Sequence, residues 1–63
     1  MIISGWRPGA NTINAVQAVR KHTNLSLLES KHLIEDVLDG KPRTLPDDLV
    51  LREELEDLKF ILE

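Results

Sequence analysis

The chain has no cysteine and no tyrosine, and Trp6 and Phe60 are its only aromatic residues. Without cysteine it can form no disulfide, no thiolate metal site and no cysteine nucleophile. With two aromatic side chains it has little of the stacking surface on which single-stranded nucleic acids bind. These absences argue against cysteine-based redox chemistry, a zinc–thiolate site, and recognition of bases or sugars by stacking.

Long hydrophobic runs are also missing. No apolar stretch approaches the length of about 20 residues that a membrane-spanning helix needs. Residues 1–4 lack the basic and apolar regions of a signal peptide. The sequence therefore predicts a soluble cytoplasmic protein without membrane contact. Its 63 residues suffice for a single domain, near the lower limit for folding without a metal or a disulfide.

The net charge of −3 is unevenly distributed along the chain. Residues 1–46 contain six basic and four acidic residues, which gives +2, whereas residues 47–63 contain two basic and seven acidic residues, which gives −5. Such a difference orients a molecule toward an acidic partner through its first part. The acidic last part opposes contact with nucleic acid.

Residues 12–22 have the spacing of an amphipathic helix. The apolar residues Ile13, Val16 and Val19 recur at every third position, which places them on one side of the helix. We expect this stripe to face the core.

A second helix is predicted after a short corner. Ser26 and Glu29 form a capping box, in which each side chain satisfies a backbone amide near the helix start. We expect the helix to run from Leu27 to about Asp39, and Gly40 supplies the left-handed residue that commonly ends a helix. Its apolar stripe comprises Leu27, Ile34 and Leu38, with Leu33 and Val37 beside it.

A third helix is predicted in the acidic part of the chain. Pro46, Asp47 and Asp48 suit its first turn, since proline needs no amide partner there and carboxylates interact favourably with the helix dipole. Leucines continue at helical spacing to Leu62, so the helix can reach the end of the chain. Residues 59–63 can instead form a final strand, although no glycine separates them from the helix.

Two other segments have strand character. Residues 1–6 begin with Ile2 and Ile3 and predict a brief edge strand. Residues 41–45 form a loop or an edge strand, because Pro42 cannot donate a ladder hydrogen bond. Together these patterns predict an α+β fold, with a helical hairpin and a third helix against a small antiparallel sheet.

The segment GANTINAVQAVRKHTNLSLLESKHLIE, residues 9–35, resembles a known family. Its GAN entry, its AVR triplet at residues 18–20, Thr23 in the corner, and Glu29 with Lys31 are similar to the first two helices of the C-terminal domain of the bacterial ribosomal stalk protein, L-seven/L-twelve. The resemblance weakens after Gly40. It implies three helices on a three-stranded antiparallel sheet, whose last strand is here short or missing.

The family resemblance also implies a partner-binding patch on the first two helices. In the family this patch recruits translational GTPases. Carried over by position, Ile13 and Val16 would give apolar contact, while Arg20 and Lys31 would pair with carboxylates of the partner. Thr12 and Gln17 stand where the family usually has lysines, so two of its charges are absent. The predicted partner-binding residues are Thr12, Ile13, Val16, Gln17, Arg20 and Lys31.

Each of these residues also has a plainer interpretation. Exposed charges on helix faces are routine, so Arg20 and Lys31 can be solvated side chains without a partner. Ile13 and Val16 have core spacing and can equally belong to the interior, although a binding patch also needs some apolar area.

The stalk protein also has an N-terminal dimerisation segment and a flexible hinge, which this sequence lacks. We therefore expect a free-standing domain and not a stalk, and the small size favours a virus-encoded product over a cellular accessory. A monomer or a weak homodimer is expected. Dimerisation would use strand addition at the sheet edge that a missing strand leaves exposed.

A nucleic-acid-binding helix-turn-helix is the main alternative. Two helices joined at residues 23–25 have the right gross shape, and Arg20, Lys21, Lys31 and Arg43 supply positive charge. However, Arg20 lies where a small residue is usual, Ser30 lies where an aliphatic anchor is expected, and the third helix is acidic. Nucleic acid is therefore the less favoured partner.

No set of residues predicts catalysis. The spacing of His22 and His32 fits no metal-ligand signature, and solvated or locally bonded histidines are the favoured interpretation. The carboxylates of the second helix lack a nucleophile or cleft beside them. We expect no enzyme activity, no metal and no cofactor. A protein adaptor of another kind, with an unknown client, stays open.

Overall fold

The computed structural model describes residues 1–63 as three helices and three strands. None of the three helices has the length and hydrophobicity that a membrane span requires. The α+β fold with three helices on a small antiparallel sheet is confirmed. In chain order the elements are β1 (Ile2–Trp6), α1 (Thr12–His22), α2 (Leu27–Leu38), β2 (Arg43–Thr44), α3 (Leu49–Asp57) and β3 (Phe60–Leu62).

The sheet has the order β2-β1-β3, and both pairings are antiparallel. The expectation that residues 1–6 form an edge strand is wrong, because β1 is the central strand. Its neighbours come from distant parts of the chain, with Ile3 opposite Arg43 on one side and Leu62 on the other. The short β2 is an edge strand, which was one of the two alternatives for residues 41–45.

The last strand is present, and a non-glycine residue makes the turn before it. Leu58 caps the end of α3, and Lys59 has a φ of +71°, the left-handed conformation that usually requires glycine. The Lys59 carbonyl accepts a hydrogen bond from the Arg7 amide at 2.8 Å, which holds this turn against β1. Residues 60–62 therefore form a strand and do not extend α3.

The core lies between the helices and one face of the sheet. α1 contributes Ala15, Ala18 and Val19, so its buried stripe differs from the predicted one: Val19 is buried, but Ile13 is not. The small alanines let α1 lie close to its neighbours. The buried apolar residues are Ile3, Ala15, Ala18, Val19, Leu33, Ile34, Val37, Leu45, Leu51, Leu55 and Phe60.

Capping interactions fix both ends of α1. The Asn11 side chain accepts a hydrogen bond from the Asn14 amide at the start of α1. At its end, the Thr23 hydroxyl donates to the Val19 carbonyl at 2.6 Å and accepts from the Leu25 amide at 3.2 Å. Because these bonds are local, sequence patterns locate both ends of α1 well.

α3 begins later than predicted. Pro46 and Asp47 precede it, and Asp48 is its N-cap, accepting hydrogen bonds from the amides of Val50 and Leu51 at 2.9 and 3.1 Å. An N-cap residue lies outside the helical conformation, and its side chain is what satisfies the first free amides. The helix therefore starts at Leu49.

The capping box of α2 makes the stability of the domain depend on pH. The Glu29 carboxylate accepts a hydrogen bond from the Ser26 amide at 3.1 Å, and the Glu29 amide donates to the Ser26 hydroxyl. Hydrogen bonds from the backbone and the side chain of Ser26 lower the pKa of Glu29 below its ordinary value of 4.5. The folded state therefore favours the ionised carboxylate.

Glu29→Gln is expected to lower the free energy of unfolding at neutral pH, because the neutral amide accepts a weaker hydrogen bond. A lowered folded-state pKa contributes stability above the unfolded pKa, and this contribution is lost as the pH falls through the folded value. The difference between wild type and variant should thus shrink below pH 4.5. Urea unfolding of both proteins between pH 3 and 7 measures it, and a difference that grows on acidification would contradict the assignment.

Candidate partner-binding groove

An open groove of about 380 Å³ lies between α1 and α2. α1 forms one wall, α2 forms the other, and the fully buried Ile34 is at its base. The groove contains five of the six residues predicted to bind a partner. The lining residues are Thr12, Ile13, Val16, Gln17, Leu27, Lys31, Ile34, Glu35 and Leu38.

Ile13 is the most exposed apolar residue of the groove, with 71% of its surface accessible, and Leu27 is 52% accessible. Val16 and Leu38 are half-buried and pack against the core. Of the two interpretations of Ile13 and Val16, the structure excludes a core position for Ile13 and gives Val16 an intermediate one. The groove thus presents apolar surface that no part of the chain covers.

The sixth predicted residue, Arg20, does not line the groove. It is exposed on α1, four positions after Val16 and three after Gln17, and so lies on the same helix face one turn further along. Neither Arg20 nor Lys31 forms an ion pair within the chain. Both charges are therefore available to a partner.

Four groove residues were not among the predicted site residues: Leu27, Ile34, Glu35 and Leu38. Leu27 and Leu38 were assigned to the apolar stripe of α2. The sequence does indicate an exposed leucine at the start of α2, because the adjacent residues Leu27 and Leu28 cannot both face one core. Both are in fact exposed.

Two of the basic residues that support a helix-turn-helix are engaged within the chain. Arg43 lies 2.6 Å from the Asp36 carboxylate, and the Lys21 ammonium lies 3.8 Å from Glu54. These carboxylates partly neutralise the two basic side chains. The positive potential that would attract nucleic-acid phosphates is therefore weaker.

The two histidines have different surroundings. His22 is hydrogen-bonded through Nε2 to a carboxylate oxygen of Glu54 at 3.1 Å, which ties the end of α1 to α3. His32 is exposed on α2. No group of three or more His, Asp or Glu side chains converges in a way that could hold a metal ion.

The structure is a small α+β domain. A helical hairpin and a third helix lie on a three-stranded sheet, and an uncovered apolar groove runs along the hairpin. The chain is 45% identical over 51 residues to the large ribosomal subunit protein bL12 of Clostridium perfringens, strain SM101. It is likewise 45% identical over 51 residues to bL12 of Clostridium botulinum, strain Eklund 17B. This similarity confirms the resemblance to the bacterial ribosomal stalk protein.

Each match covers 81% of this chain and 38% of the relative, so the chain spans well under half the length of the curated proteins that it matches. No family model and no solved structure matches the chain.

Proposed function

We propose that this domain is a non-enzymatic, cytoplasmic protein-binding module that uses the α1–α2 groove and the neighbouring Arg20 to bind a translational GTPase. The similarity to bL12, a large-subunit ribosomal protein, supports a role in translation. The observation that carries the proposal is the exposure of Ile13 in a groove between two helices. A virus-encoded origin stays a prediction.

The groove combines the features of a protein-binding site. Ile13 and Leu27 offer apolar area that becomes buried on binding, and such area is the main favourable term in association. Lys31 lines the groove and Arg20 lies one turn beyond it on α1, and both can pair with carboxylates of the partner, which favours fast and correctly oriented encounter. A partner with an apolar ridge between acidic residues would match this arrangement.

The polar residues Thr12 and Gln17 set the expected affinity. Both line the groove where the family usually has lysines. Each lysine that is absent removes a charge from the encounter with an acidic partner. We therefore propose a lower affinity, with a weaker dependence on salt, than a surface with lysines at both positions would show.

Reversing the charge of the two basic residues at the groove should abolish most of the binding. Arg20→Glu combined with Lys31→Glu should lower the affinity for a purified GTP-bound translational GTPase at least tenfold, because attraction becomes like-charge repulsion. Isothermal titration calorimetry measures the dissociation constant, and circular dichroism checks the fold.

The matched control is Arg7→Glu combined with Lys41→Glu. These two residues are exposed and lie outside the groove, and the substitution changes the net charge equally. We expect an affinity within about threefold of wild type, since only long-range steering changes. Equal losses in both double variants would show that net charge, and not the groove, determines binding.

A further inference from the structure

The strand β3 leaves one edge of the sheet uncovered by another strand. The backbone of Glu63 exchanges two hydrogen bonds with Ile2, at 2.8 and 3.3 Å, and the Lys59 carbonyl accepts one from Arg7. In an antiparallel ladder, successive residues direct their backbone groups to opposite sides of the strand. The N–H and C=O groups of Phe60 and Leu62 therefore point to the open edge.

The opposite edge of the sheet is protected. β2 has only two residues and follows Pro42, and the Arg43 side chain is bound to Asp36. Very short strands and adjacent proline are the usual means by which an edge resists pairing. β3 is also short, with three residues, but no proline lies beside it, so we expect a chain that adds to this sheet to add along β3.

The charged residues on the two sides of β3 have opposite signs and can pair with those of a second copy. Lys59 precedes the strand and Glu63 follows it, both are exposed, and neither forms an ion pair within the chain. In an antiparallel pairing of two copies centred on Ile61, Lys59 of each copy lies opposite Glu63 of the other. A parallel pairing in register would instead place like charges together.

We propose that a second copy of this chain adds to β3 and forms a continuous six-stranded antiparallel sheet around a two-fold axis at Ile61. Phe60 of each copy then exchanges both backbone hydrogen bonds with Leu62 of the other copy. The two Ile61 side chains, each 36% accessible in the single chain, meet on the sheet face opposite the helices. This interface is separate from the α1–α2 groove.

The proposed interface is small. Two three-residue strands and one isoleucine pair bury much less than the roughly 1,000 Å² expected for a stable complex. We therefore expect a dissociation constant between about 10 µM and 1 mM, a range typical of weak, reversible association.

Charge reversal tests the register of the pairing. Sedimentation equilibrium of the complete chain between 10 µM and 2 mM should show a wild-type dimer, whereas Lys59→Glu or Glu63→Lys alone should raise the dissociation constant at least tenfold. An equimolar mixture of the two variants should recover the wild-type value, because it places opposite charges together at both ends of the strand pair. Circular dichroism confirms that each variant folds.

Hydrogen exchange locates the interface. The amides of Phe60 and Leu62 should become more protected as the chain concentration rises, while the exposed amides of the other segments do not. A chain that stays monomeric at 2 mM would overturn the proposal. So would a dimer that both single variants leave intact, since it would use another surface, or protection at Phe60 and Leu62 that appears only with an added peptide of another protein.

Discussion

Leu55→Ala should remove about half of the free energy of unfolding of this domain. Leu55 lies on α3 with no accessible surface, in the single core between the helices and the sheet. Truncation of a buried leucine costs about 2–5 kcal/mol, because transfer energy is lost and a cavity remains. At about 0.05–0.15 kcal/mol per residue, a chain of this size has a free energy of unfolding of only about 3–9 kcal/mol. Guanidinium unfolding followed by circular dichroism measures the loss.

Leu49→Ala is the matched control for this core variant. Leu49 begins the same helix, but 75% of its surface is accessible, so it loses little burial on truncation. Its free energy of unfolding should stay within about 0.5 kcal/mol of wild type. If both variants were equally stable, the assignment of Leu55 to the core would be wrong.

Local signals in the sequence were sufficient for the two helices of the hairpin. α1 has its predicted bounds, and the capping box at Ser26 and Gly40 bracket α2 to within one residue. These signals lie within a few residues of the backbone groups that they satisfy. The Asp48 cap of α3 is of the same kind, and the misplaced start came from counting two carboxylates inside the helix.

Features that depend on distant contacts could not be predicted in the same way. The central place of β1 depends on its pairing with residues about 40 and 60 positions away. The strand at residues 60–62 requires a left-handed conformation at Lys59, which the β1 backbone stabilises through the Arg7 amide. No local pattern marks a lysine for that conformation.

The candidate site was also predictable only in part. The family resemblance placed the candidate site on α1 and α2, and five of its six residues line one groove between these helices. Periodicity alone placed Ile13 in the core, because a three-residue spacing fits two adjacent helix faces. The face that is buried is the one with Ala15 and Ala18, which permit close packing, and Ile13 is thereby left outside.

Removal of this exposed anchor should weaken partner binding more than removal of a charge beside it. Ile13→Ala is expected to reduce the affinity for a translational GTPase by about 10- to 30-fold, because a central apolar residue contributes most when it becomes fully desolvated. Lys31→Ala should cost about two- to threefold, since a rim charge contributes little. The stability of both variants should be nearly that of wild type. Calorimetric titration at one salt concentration compares them.

Val50→Ala tests whether a loss of affinity is specific to the groove or follows from the loss of any exposed apolar side chain. Val50 is β-branched like Ile13 and 55% accessible, but it lies on α3 outside the groove. Its truncation removes a comparable exposed apolar side chain without changing the proposed interface, so the affinity should not change. Equal losses for Ile13→Ala and Val50→Ala would place the contact elsewhere. If Lys31→Ala lowered the affinity more than Ile13→Ala, the interface would depend mainly on charge, and the apolar groove would lie beside it and not within it.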